Sequence, residues 1–346
     1  MEALDARYAA LVTGLASRAG PVEELAAAAD QLADEATSVW LAIQARALGA
    51  RARLARDADP ASVTVVADVT PPAIDDASEA ALLELLPGSG PPIRRLKAHR
   101  ATTSLAADRL ATCGQRLLEL LCTRSREDLS LPAEESVELE LVAGSPHRTP
   151  RVTTVVDGRR TRLLLNASAS WAADDLVRSI AGEAYPGRHL ARIGRPPAPG
   201  WSPSPEGTVL HGLAETGREA LLGDHELAFE IERIGRAIGA RWDGHLVLAM
   251  LRTRAALAPF VAHAALAPPG EARALLDRLG FGTASIDRLL DRWKDPGGRV
   301  DAIARAGGPP LVREWLVVQG QTAGLQRLVT ERLVPAQLRA DLDDAR

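Results

Sequence analysis

The stretch Ser179-Ile180-Ala181-Gly182-Glu183-Ala184-Tyr185-Pro186-Gly187-Arg188-His189-Leu190 decides how this chain reads, and it is best taken with His211-Gly212-Leu213-Ala214-Glu215 downstream. On an ideal helix seven residues turn through about 700°, so Gly182 and His189 would share one face. Pro186 interrupts that ladder, because its ring clashes with the preceding turn and removes a hydrogen bond. A kink or break is therefore expected there, after which either Arg188 or His189 faces the position that Gly182 lines. Further on, His211, Glu215 and Glu219 recur at steps of four and form one polar stripe. A His and a Glu one turn apart are good ligand geometry for zinc.

Upstream, the period of the sequence changes from 3.6 to 2. Val137, Leu139 and Leu141 alternate with Glu138 and Glu140, and Val152 to Val156 leads into Asp157-Gly158, a hairpin signal. With Arg160 to Asn166 following, a small antiparallel sheet of about three strands is expected. Ser170 suits an N-cap for a helix from Trp171, with Asp174 and Asp175 in a first turn where the helix dipole favours acids. A strand followed by a helix bearing Glu183 is the order of many zinc peptidases, in which the edge strand holds extended substrate and the helix holds metal and base.

The remainder reads as helical. Residues 6 to 56 carry apolar side chains at helical spacing, broken at Gly20-Pro21, and a short helix is expected around Glu79 to Leu86. Ile93 to Arg124 reads as one long helix whose opening cluster, Arg94, Arg95, Lys97, His99 and Arg100, could form a phosphate-binding or nucleic-acid patch but, without interleaved aromatics, suits a solvated face. A loop from Gly194 to Gly207, including Trp201, separates the motif helix from a helix over Leu210 to Leu222. Gly223-Asp224 then break the chain before a long helical region from about Glu226 to Leu266 that Pro259 should kink or split. From Glu271 to Leu342 helices continue, with breaks expected at Pro296-Gly297-Gly298 and Gly307-Gly308-Pro309-Pro310. The expected class is mainly α with a small antiparallel β-sheet. One domain spans 1–346, with a helical N-terminal part to about 130 and the motif-bearing part from 131 onward.

Composition narrows the partners. The chain has 346 residues, of which 46% are apolar, a formal charge of −4 and a pI near 6.0, which gives no case for a nucleic-acid binder. Cys113 and Cys122 lie nine residues apart on a helical pattern, about 13 Å, too far for a disulfide and in keeping with reduced thiols. The acidic, amphipathic start Met1-Glu2-Ala3-Leu4-Asp5 lacks the features of a signal peptide. Arg252 and Arg254 interrupt the longest apolar region, His245 to Pro268, against a membrane span. A cytoplasmic protein is expected. Neither a Gly-x-Ser-x-Gly elbow, nor a Gly-x-x-x-x-Gly-Lys loop, nor a Cys-x-x-Cys pair occurs. His99, His147, His225, His245 and His263 have no partner at ligand spacing and read as solvated or core histidines.

The segments Leu163 to Leu190 and Pro205 to Leu222 resemble a bacterial family of metallopeptidase-like proteins, the domain of unknown function 885 family. Its signature is His-Glu-x-x-Pro-Gly-His-His followed by a helix beginning Glu-Gly-x-Ala. The matching residues here are Gly182-Glu183-Ala184-Tyr185-Pro186-Gly187-Arg188-His189 and His211-Gly212-Leu213-Ala214. Trp315-Leu316-Val317-Val318-Gln319-Gly320 resembles the family's C-terminal helix pattern, so the similarity runs from about 130 to the end. The resemblance implies a zincin-like helical fold, with Glu183 at the general-base position and Gly182, Tyr185, Arg188, His189, His211 and Glu215 around the cleft. Three positions depart from the signature: Gly182 stands for the first His, Arg188 for the first His of the pair, and His211 for the Glu of the second helix. With those ligands gone no zinc-activated water is expected, and a guanidinium at Arg188 would pair with Glu183 or Glu215. The expectation is a non-catalytic relative that needs no cofactor and binds a peptide or small molecule. Two alternatives stay open: a hydrolase with zinc rebuilt on His189, His211 and Glu215, and an unrelated helical interaction protein.

Overall fold

A computed structural model describes residues 2–17, 21–54, 60–143, 151–195 and 203–346. His147 and Trp201 lie outside these. Helices dominate. The N-terminal third comprises α1 (Glu2–Ser17), α2 (Val22–Glu35), α3 (Val39–Leu54), α4 (Pro60–Ala67), α5 (Asp76–Glu84), α6 (Pro92–Thr102) and α7 (Ala107–Asp128), with β1 (Ser104–Leu105) between the last two. Strands β2 (Ser136–Val142), β3 (Arg151–Val155), β4 (Arg160–Asn166) and β5 (Trp171–Ala172) precede α8 (Ala173–Glu183) and α9 (Arg188–Gly194). The C-terminal half is α10 (Pro205–Ala237), α11 (Gly244–Leu266), α12 (Pro269–Arg278), α13 (Thr283–Arg292), α14 (Pro296–Gln319), α15 (Gln321–Thr330) and α16 (Pro335–Asp344).

The sheet is mixed, which corrects the expectation of an antiparallel one. β4 is central: β3 pairs with it antiparallel through the expected hairpin, while β2 runs parallel to it from Ser136↔Arg160 to Val142↔Asn166. Asp157 sets the hairpin, its Oδ1 accepting from the backbone amides of Arg159 and Arg160 at 2.9 Å. Alternation along β4 buries Thr161, Leu163 and Leu165 and exposes Arg160 and Arg162.

Three further boundaries differ from expectation. The stretch from Ile93 to Arg124 is two helices, because Ser104 and Leu105 pair antiparallel with Ala172 and Trp171. That same pairing draws Trp171 and Ala172 into β5, so α8 begins at Ala173 without a side-chain cap rather than at Trp171 under Ser170. Finally, α14 runs unbroken through Gly307-Gly308-Pro309-Pro310; Pro259, expected to kink or split its region, lies inside α11 without splitting it. Each interior proline forfeits a backbone hydrogen bond. Burial of Val300, Ile303, Val312, Trp315 and Leu316 along α14 offsets that loss. Gly212 and Gly308 let the α10 and α14 backbones close in: a Cβ at Gly308 would lie 2.3 Å from the Thr208 carbonyl oxygen, and one at Gly212 would lie 2.3 Å from Val312 Cγ2. The expected break at Gly223 is present as a non-helical residue inside α10, at φ 65°.

The largest core gathers Leu110, Leu117 and Leu121 of α7, Leu163 and Leu165 of β4, Ile180 of α8, Leu213 of α10 and Trp315 of α14. A second cluster packs Tyr8, Leu32, Trp40 and Leu48 of the first three helices against Val334. By length and composition α11 is the one helix among the described residues apolar enough to cross a membrane. Its Arg254 nevertheless pairs with Asp174, a residue with no exposed surface.

Candidate functional site

The motif folds as its sequence suggests up to Pro186. α8 ends at Glu183, residues 184–187 form a turn with a cis Tyr185-Pro186 bond, and α9 starts at Arg188. Gly187 is required by contact. A Cβ there would sit 2.2 Å from the Gly182 carbonyl oxygen and 2.4 Å from that of Ala181, so the chain turns directly against the end of α8. Pro186 in turn rests on α10, its Cγ 2.6 Å from where a Cβ on Gly217 would be.

This turn sends Arg188 and His189 to opposite sides. Arg188 faces Glu183 and α10. Its Nη1 donates to Glu183 Oε1 at 3.0 Å, and its Nη2 approaches His211 Nδ1 at 3.4 Å. The other imidazole nitrogen, Nε2, lies 3.2 Å from Asp301 Oδ1 on α14. Asp301 is also held by Arg292 at 2.7 Å and by Arg305 at 2.8 Å. The chain Glu183–Arg188–His211–Asp301 fixes the His211 tautomer. A guanidinium can only donate, so Nδ1 is the acceptor, and the proton on Nε2 points at the carboxylate. Burial depresses the His211 pKa to about 4; the hydrogen bond to Asp301 opposes this, and the charges of Arg305 and Arg188 add to it. For Asp301 burial works upward, but the His211 hydrogen bond and Arg305 prevail and hold its carboxyl well below the usual range.

Glu215 lies one turn beyond His211 but answers to other partners. Arg178 of α8 reaches it at 3.4 Å and Arg218 at 3.7 Å. Its burial, which acts upward, is outweighed by Arg178, Arg218 and Arg305, so its carboxyl is lowered. Glu219, the next residue of the stripe, binds Arg218 and Arg313.

His189 belongs to a separate buried set. Its Nδ1 is 2.8 Å from Thr161 Oγ1 on β4, and its Nε2 is 2.9 Å from Glu135 Oε2. The Tyr185 hydroxyl donates to the same Glu135 oxygen, and Arg126 donates to the other at 2.7 Å. Desolvation would raise the Glu135 carboxyl, yet hydrogen bonds from His189, Tyr185 and Arg126 bring it below its ordinary value. Burial, reinforced by Glu135, raises the Tyr185 hydroxyl. Arg192 bridges the two sets in space, donating to Thr161 Oγ1 and lying within electrostatic range of Glu183.

The residues expected around one cleft thus divide. Glu183, Arg188 and His211 come together; Glu215 joins an adjoining arginine cluster; Tyr185 and His189, at 1% and 0% exposure, face Glu135 instead. With both ring nitrogens of His189 engaged, the set His189, His211 and Glu215 is not drawn together. Among the described residues no group of three or more His, Cys, Asp and Glu side chains is placed to hold a metal ion. Sequence reasoning missed Glu135, Thr161, Asp301, Arg305 and Arg178. Of these, Glu135, Thr161 and Arg178 lie in or directly beside segments already singled out, whereas Asp301 and Arg305 do not.

No protein-family model matches the chain, and neither a curated protein nor a solved structure does.

Proposed function

We propose that the chain is a metallopeptidase-like protein of the domain-of-unknown-function-885 type, zincin-like in descent, in which a guanidinium stands where a metal would. It binds a peptide or small molecule rather than hydrolysing it. The observation that carries this reading is the Glu183–Arg188–His211–Asp301 chain. Each motif position that departs from the zinc signature takes part in it or lies beside it, and Arg188 gives the Glu183 carboxylate the positive charge that a metal would otherwise provide. Glu183, 6% exposed, is ion-paired with Arg188 in this arrangement, which holds its carboxylate as a salt-bridge partner rather than as a free base.

Restoring the signature tests the descent. The triple variant Gly182→His, Arg188→His, His211→Glu should bind one zinc per chain with unchanged far-UV circular dichroism, while the wild type should not. A correctly folded triple variant with no affinity for zinc would contradict the reading.

A further inference from the structure

A second site lies away from the motif, between α6, α11 and α13. It is a cavity of about 380 Å³, within the range that takes small ligands. Five cationic side chains line it: Lys97 and Arg100 from α6, Arg254 from α11, and Arg288 and Arg292 from α13. Ile93, Leu96, Phe281 and Leu289 supply an apolar wall, and none of the described lining residues is acidic.

The charges are unequally compensated. Arg100 and Arg254 are anchored from behind by Asp174 and Asp175 at the start of α8, and Arg292 is held by Asp301. These three guanidiniums are positioned before any ligand arrives. Lys97 has no ionic partner among the described residues, and the hydrogen bond of Arg288 goes to the neutral Ser285 hydroxyl at 3.1 Å. Two positive charges are therefore left for a ligand to neutralise, at the edge of an apolar wall.

We infer that this cavity binds a phosphate monoester of an apolar alcohol, with the phosphate between Lys97 and Arg288 and the apolar group against Phe281 and Leu289. A phosphate monoester carries nearly two negative charges at neutral pH and offers three acceptor oxygens, which suits two unpaired cations better than a single carboxylate does. The wall supplies the second half of the recognition, since inorganic phosphate would leave it wet.

Isothermal titration of the full chain with phenyl phosphate, inorganic phosphate and benzoate tests this. Phenyl phosphate should bind saturably with one site per chain, more tightly than either of the others and more weakly as salt is raised. Lys97→Ala and Arg288→Ala, both at exposed positions, should each weaken it by about tenfold, as expected for loss of one charge-assisted hydrogen bond. Phe281→Ala should reduce affinity for phenyl phosphate and leave inorganic phosphate unaffected. The assignment is overturned by absence of saturable phenyl phosphate binding, by undiminished binding in the double variant Lys97→Ala, Arg288→Ala, or by tighter binding of benzoate. Thermal melts of the variants establish that they remain folded. None of the substituted residues contacts Glu183, Arg188 or His211, so the outcome is separable from that of the zinc test.

Discussion

Protonating His211 should destabilise the fold by an amount that can be worked from its surroundings. An unperturbed imidazole titrates near 6.5, whereas burial between α10 and α14 lowers His211 to about 4. The folded state thus prefers the neutral ring, so its contribution is complete above pH 6.5 and is lost as pH falls toward 4. A shift of this size is worth roughly 3 kcal/mol in full, at about 1.4 kcal/mol per pH unit, and about 2 kcal/mol of it should be gone by pH 5. Urea denaturation at pH 7, 6 and 5 gives the stabilities. His211→Gln cannot gain the proton but still offers an N–H toward Asp301, so it is the reference. Subtracting its pH profile removes every other titrating group. The wild type should lose about 2 kcal/mol more than the variant between pH 7 and 5. Parallel profiles, or a His211 ring that titrates at 6 or above by NMR, would refute the burial of a neutral His211 between α10 and α14.

Other substitutions should follow from the same contacts. Glu135→Ala leaves the Tyr185 hydroxyl, His189 and Arg126 without their shared acceptor and should cost about 3–5 kcal/mol in urea denaturation. Asp174→Ala removes the carboxylate between Arg100 and Arg254 and should cost a similar 3–5 kcal/mol, with Asp174→Asn recovering part of it. Gly212→Val drives a side chain into Val312 and the Gly308 carbonyl, so the melting temperature should fall by an amount equivalent to at least ~1–3 kcal/mol, more than for Gly212→Ala.

The local features of the chain were legible in its sequence because they are written locally. Pro186 stops α8, Asp157-Gly158 turns the hairpin, and the first turn of α8 carries its two acids. What escaped depends on partners distant in sequence. Ser104 and Leu105 form a strand only because Trp171 and Ala172 lie alongside. The parallel pairing of β2 with β4 leaves no mark in an alternating pattern, which would read the same for either direction. The basic run around Lys97 looked like a solvated face, yet Arg100 turns inward to Asp174 and Asp175, while Arg95 reaches the Leu83 and Leu86 carbonyls. At the motif, helical spacing left open whether Arg188 or His189 would face the position that Gly182 lines, and it is Arg188 that reaches the neighbouring Glu183. The choice was made by Glu135 and Thr161, which claim the imidazole. Asp301, which completes the ion-pair chain, sits on a helix whose Gly-Gly-Pro-Pro run appeared to forbid it.

In the proposed reading Arg188 occupies the position of a metal. Elemental analysis of the wild-type protein, purified without chelator and dialysed against zinc, tests it most directly. Zinc should be substoichiometric and the same in the wild type and in His211→Ala; one zinc per chain that disappears in His211→Ala would contradict the placement of Arg188.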